Sequence, residues 1–150
     1  MNQWIILLLA AASVTQPVPF SHKQHTANVA CNVCHATAEK AERAGMPPVA
    51  QCMLCHENVK RESPHIQKLA QYQKNNKPVP WVRVYRIPDF VFFSHAKHTA
   101  AKVECAACHG PVEQRDVLAK EVATDMKTCM DCHKSRGASL VCNLCHELGQ

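Results

Sequence analysis

Five times the chain reads Cys-x-x-Cys-His: "CNVCH" at 31–35, "CMLCH" at 52–56, "CAACH" at 105–109, "CMDCH" at 129–133 and "CNLCH" at 142–146. This order suits covalent attachment of a haem. Two thiols add to the two vinyl groups of one porphyrin edge, and the next residue lies beneath the iron. Cys31 and Cys34, Cys52 and Cys55, Cys105 and Cys108, Cys129 and Cys132, and Cys142 and Cys145 are then the attachment pairs. His35, His56, His109, His133 and His146 each offer the neutral imidazole that iron accepts as a proximal ligand. The expected cofactors are five covalently bound haem c groups with their iron.

Other chemistries fit the spacing less well. A zinc ribbon uses Cys-x-x-Cys pairs two at a time and has no reason to place His after each second Cys. Five pairs are an odd number for that scheme. A redox dithiol explains one motif beside a βαβ pattern, and no such pattern is visible. A disulfide framework does not account for the five histidines, and all ten cysteines fall inside the motifs.

Five histidines remain: His22, His25, His65, His95 and His98. Five irons with proximal ligands have five sixth positions. Residues i and i+3 of a helical turn project about 60° apart, so His22 with His25, and His95 with His98, point in neighbouring directions. Each iron has one axial position left, so each pair serves two irons and fixes two haems beside each other. His65 is the fifth candidate metal ligand, with a solvent-facing histidine as the plain alternative. Met126 competes with it, since a thioether would raise that haem's potential. Met46 is a weaker competitor, and Met53 and Met130 read as packing within the attachment loops.

The elements that carry these residues repeat. Phe20-Ser21-His22 matches Phe93-Ser94-His95 at an offset of 73, while the Cys motifs that follow match at 74. This divides the chain into a dihaem module at 17–62, a connecting segment at 63–92 and a trihaem module at 93–150. The connection opens with a helix that has Ser63 as N-cap, Pro64 at its first position, an Ile66, Leu69, Ala70 stripe and a stop near Asn75 to Pro78. An extended stretch follows in which Val82 and Val84 alternate with Trp81, Arg83 and Tyr85, closed by Pro88. Tyr72, Trp81 and Tyr85 cover haem edges, or else form a docking surface. Elsewhere the expectation is mostly irregular chain with short α-helices, little or no β-sheet, and haems for a core.

Composition agrees. Leu, Ile, Val and Phe supply 32 of the 150 residues, close to the level at which aliphatic side chains no longer build a core. The formal charge is +5, but five haems bring roughly ten propionate charges and reverse it. No arginine-rich run with interleaved aromatics is present, so a nucleic-acid partner is not expected. Residues 1–13, "MNQWIILLLAAAS", hold a short apolar run followed by small residues. They read as a signal peptide, with an uncleaved anchor as the alternative. The expected location is exported, periplasmic in a bacterial-type cell.

Phe-Ser-His-x-x-His followed by Cys-x-x-Cys-His, present twice with further motifs behind each, resembles the class III multihaem cytochromes c, the low-potential family with bis-histidine ligation. More narrowly, "PVPWVRVYRIPDFVFFSHAKH" followed by three haem motifs is similar to the pentahaem cytochrome subunits of quinol-oxidising membrane complexes, such as alternative complex III and menaquinone oxidoreductases. The resemblance implies a multihaem cytochrome c fold built round its haems. It also implies that His22 and His95 ligate the haems of the next motifs, opposite His35 and His109, while His25 and His98 reach neighbouring haems. The function expected is an electron carrier that relays single electrons between a quinol-linked membrane donor and a downstream acceptor. Its partners are redox proteins, and membrane association comes through a partner or the N-terminus. The alternative is an enzyme, a small multihaem reductase with one open iron.

Overall fold

The computed structural model describes residues 14–147, and the signal peptide expected at 1–13 lies outside them. Among the described residues there is no strand and no helix long and apolar enough to cross a membrane. The fold is short helices joined by irregular chain. The helices in order are α1 (His22–Thr26), α2 (Cys31–Cys34), α3 (Val49–His56), α4 (Pro64–Lys74), α5 (His95–Ala100), α6 (Ala106–His109) and α7 (Met126–Ser135), with single 3-10 turns at Val112–Gln114 and Cys142–Leu144.

Such short helices need local stabilisation, because a helix of one or two turns barely recovers its nucleation cost. Capping supplies part of it. The Ser21 hydroxyl accepts the Gln24 N–H at the start of α1, Ser94 does the same for Lys97 in α5, and the Asp125 carboxylate accepts the Thr128 N–H in α7. The α4 helix starts at Ser63 and Pro64, as the sequence suggests, but the Ser63 side chain makes no capping bond.

The apolar core is small and one-sided. Val18, Val49, Met53, Leu69 and Val79 are its buried members, with Ile66, Ala70, Tyr72 and Trp81 packed against it. It lies where α3 meets α4, beside the incoming chain at Val18. Residues 93–147 contribute no buried apolar side chain. Val141, Leu140 and Leu144 around the last motif are exposed.

The stretch 79–92 does more than connect. Gln16 brackets Val82 with two side-chain bonds, donating to its carbonyl at 2.8 Å and accepting its N–H at 3.0 Å. Trp81 packs in the core and meets Phe20 edge-on. The Tyr85 hydroxyl accepts the N–H groups of Glu121 and Val122 and donates to the carbonyl of His109. Phe92 N–H donates to the carbonyl of Cys145 at 2.6 Å. Trp81 and Tyr85 thus face the protein's own interior, and the segment ties the core to the third and fifth motifs.

The two halves of the repeat also cap each other. Lys23 N–H donates to Arg115 O, and the repeat-equivalent Ala96 N–H donates to Ala41 O, both at 3.0 Å. The loop after the first motif therefore closes on α5, and the loop after the third closes on α1. Ser21 Oγ adds a bond to Asp116, and Thr99 Oγ1 adds one to Ala38 O. Arg115 and Glu121 grip each other by two bonds, which raises the guanidinium and lowers the carboxyl from their ordinary values.

Because five residues form the buried cluster among the described residues, each matters. Leu69→Ala should cost about 2–5 kcal/mol, seen as a lower thermal midpoint of the holoprotein with its haem content unchanged.

Candidate functional site

No two of the ten cysteines are joined in a disulfide. Burial pushes up the thiols of Cys34, Cys52, Cys105, Cys108 and Cys129, and a neighbouring cysteine adds to each. A redox dithiol or nucleophile shows the opposite, a thiol pulled down by positive surroundings. These neighbours also trace how the motifs sit. Cys52 is close to Cys34, Cys105 to Cys31, Cys108 to Cys132, and Cys129 to Cys108 and Cys145. The motifs therefore follow one another in the order second, first, third, fourth, fifth.

The histidines face each other across the repeat. His25 lies 6.1 Å from His56 between ring centres, His98 lies 6.2 Å from His133, and His95 lies 6.4 Å from His109. A metal–imidazole bond is about 2.0–2.1 Å and a ring centre sits roughly 1 Å behind its nitrogen, so two imidazoles trans on one metal have centres about 6 Å apart. The three pairs have that separation. His22 is the neighbour of His35. Burial, then nearby His35 and His25, hold its ring down to about 4. His109 is lowered too, by burial and then by His95 and His35. Both rings stay neutral at physiological pH, which is the ligating form. Among the described residues no three His, Cys, Asp or Glu side chains gather as a protein-only metal cage would need. The donor set fits haem, not zinc.

Ring orientation is fixed by the backbone. Nδ1–H of His25 donates to Ser21 O at 2.7 Å, and that of His98 to Ser94 O at 2.7 Å. His35 donates to Gly45 O, His56 to Val59 O, His133 to Ser139 O, His146 to Glu147 O and His95 to Glu42 O. With Nδ1 protonated and held, Nε2 carries the lone pair. Aromatic packing adds a second constraint. Phe20 lies flat on His25 at 4.2 Å and edge-on to His22 at 4.8 Å. Phe93 repeats this on His98 at 4.6 Å and His95 at 4.8 Å. Each Phe-Ser-His-x-x-His stretch is thus one unit: Ser caps the turn, its carbonyl orients the second His, and Phe wedges both rings.

His65 and His146 are not brought together. His65 is exposed at the start of α4 and forms no ring contact or hydrogen bond among the described residues. His146 meets no aromatic ring there. Met126 is exposed at the start of α7. Tyr85, read from the sequence as a haem-edge cover or a docking residue, meets the ring of His109 edge-on at 4.7 Å, while Gly45 was passed over. The repeat at an offset of 73 carries a signal for the two phenylalanines; Gly45 has none.

Two family profiles match the chain. Residues 91–147 fit cytochrome c7 and related cytochrome c, and residues 8–78 fit the class III cytochrome c family. The chain belongs to the class III multihaem cytochromes c. As in that family, haem c is its covalent cofactor and electron transfer its role. It is also 32% identical over 146 residues to the menaquinone reductase, multiheme cytochrome c subunit, of Nitratidesulfovibrio vulgaris (strain Hildenborough). That match takes in 95% of this cytochrome but 57% of its relative, so this chain spans little more than half the relative's length.

Gly45 gives the site a direct test. Its φ of +75° aims its carbonyl at His35, and an added Cβ would meet Thr37 Oγ1 at 2.8 Å. Gly45→Ala should cost about 1–2 kcal/mol in stability from the left-handed backbone alone. It should also raise the midpoint potential of one haem, read by spectroelectrochemistry.

Proposed function

We propose that this cytochrome carries five haem c groups and relays single electrons between a quinone-linked membrane complex and a second redox protein outside the cytoplasm. Each haem, when bound, supplies a one-electron iron(III)/iron(II) couple. The ten cysteines hold the porphyrins, and His35, His56, His109, His133 and His146 serve as proximal ligands. His22, His25, His95 and His98 close the positions opposite His35, His56, His109 and His133. The observation that carries this reading is the facing of imidazoles at about 6 Å, each ring oriented by backbone or by packed aromatics. An iron closed on both sides by the chain's own nitrogens cannot take substrate, which leaves outer-sphere transfer.

The dihaem stretch 17–62 and the trihaem stretch 93–150 act as one body, supported by the bonds each sends to the other. Residues 79–90 fall between the two family matches. Menaquinone enters through the name of the N. vulgaris relative, and export through the need to attach haem c beyond the cytoplasmic membrane.

The fifth site supports a second reading. His146 meets no imidazole among the described residues, and His65 sits on α4, which packs on α3 at the second motif. Met126 is better placed, because its helix α7 also carries Cys129, the neighbour of Cys145. With Met126 as ligand every iron is closed; without it one iron is open, and a small-molecule reductase follows. Intact-mass analysis should give a chain bearing five haems, and any other number removes the count. Carbon monoxide added to the reduced protein should leave the spectrum unchanged, while Met126→Leu should open one haem to it. Binding of carbon monoxide by the unaltered protein would instead favour the reductase.

A further inference from the structure

The four histidine pairs are not equivalent. At the second and fourth motifs both rings give Nδ1–H to a backbone carbonyl: His25 at 2.7 Å and His56 at 2.9 Å, His98 at 2.7 Å and His133 at 2.8 Å. At the first and third motifs only one ring of each pair does. His35 is bonded to Gly45 O, but Nδ1 of His22 is buried with no partner. His95 is bonded to Glu42 O, while among the described residues no carbonyl accepts from Nδ1 of His109, whose ring meets the edge of Tyr85.

A carbonyl that takes the Nδ1 proton makes Nε2 a stronger donor, and a stronger donor favours the oxidised iron. Two tethered rings should therefore hold a lower potential than one. Position acts in the same direction at the second motif. The second motif ends the series with one neighbour, whereas the first and third, joined through Cys31 and Cys105, have one on each side, as does the fourth, which its two tethers alone set apart. Burial and adjacent oxidised centres both disfavour extra positive charge and so favour reduction.

We infer that the singly tethered pairs, His22 with His35 and His95 with His109, hold the higher potentials, and that the doubly tethered pairs, His25 with His56 and His98 with His133, hold the lower ones. This rests on the axial pairing proposed above. At equilibrium the first electrons accepted reside at the first and third motifs.

The test is stepwise reduction of the oxidised holoprotein with dithionite and mediators, followed by NMR of the paramagnetically shifted haem methyl signals. Tyr85 identifies the third site by cross-relaxation, and the loop side chains Val33, Leu54 and Met130 identify the first, second and fourth. The signals near Val33 and Tyr85 should move to their reduced positions at higher potential than those near Leu54 and Met130. Signals near Leu54 or Met130 that move first, or all four moving together, would overturn the ranking. His25→Met and His98→Met provide a separate check, because a thioether raises the potential of the iron it serves. Each should shift one of the two lowest transitions upward. If these variants leave every low-spin signal in place, the pairing itself fails, whatever the ranking.

Discussion

The structure depends on one repeated constraint, a single helical turn that must present two imidazoles in two fixed directions. An isolated turn of five or six residues is unstable in water, so the chain holds it from several sides. Ser21 and Ser94 cap the turn, their carbonyls take the Nδ1 protons of His25 and His98, and Phe20 and Phe93 wedge the rings. Removing one support leaves the others. The ring directions are thereby set by the backbone, with no long helix or sheet to provide rigidity.

The second consequence is reciprocal closure. Each two-histidine turn is covered by the loop that follows a Cys motif of the other half. The halves are related by an internal repeat, yet neither satisfies its own backbone alone. This arrangement suits a chain with few aliphatic residues. The buried cluster of the described residues sits around α3 and α4, and the stretch 79–92 carries order outward from it, through Tyr85 to His109 and through Phe92 to Cys145. Tyr85 does with one hydroxyl what a strand would do with a ladder, accepting two N–H groups and donating to a carbonyl.

Much of the site was legible in the sequence because covalent haem attachment has a fixed grammar. Cys-x-x-Cys-His is set by porphyrin geometry, and two histidines three apart are set by the helical turn, so both survive without any knowledge of the fold. The helix at 64–74 was legible from Pro64 and the Leu69 stripe, which the core buries. What could not be read was whatever depends on backbone carbonyls. Gly45 O, Val59 O and Ser139 O orient the imidazoles of His35, His56 and His133, and any residue has a carbonyl to offer. Trp81 and Tyr85 were open to two readings for a related reason: composition gives an aromatic residue's presence, while the bonds of Gln16 to Val82 decide which way that stretch runs. The pairing of His25 with His56 and of His98 with His133 needed three dimensions, since each joins residues on different elements.

The central claim is that imidazoles facing each other at about 6 Å are axial pairs with ring planes held by the chain. Their angles differ: 13° for His95 and His109, 45° for His98 and His133, and 57° for His25 and His56. Near-parallel rings give a rhombic low-spin iron signal, and crossed rings give a more axial one with larger anisotropy. Low-temperature EPR of the oxidised holoprotein reads both properties at once. The account predicts low-spin signals for the four paired irons, with the rhombic and the more anisotropic forms both present. High-spin iron at more than the fifth site would contradict it.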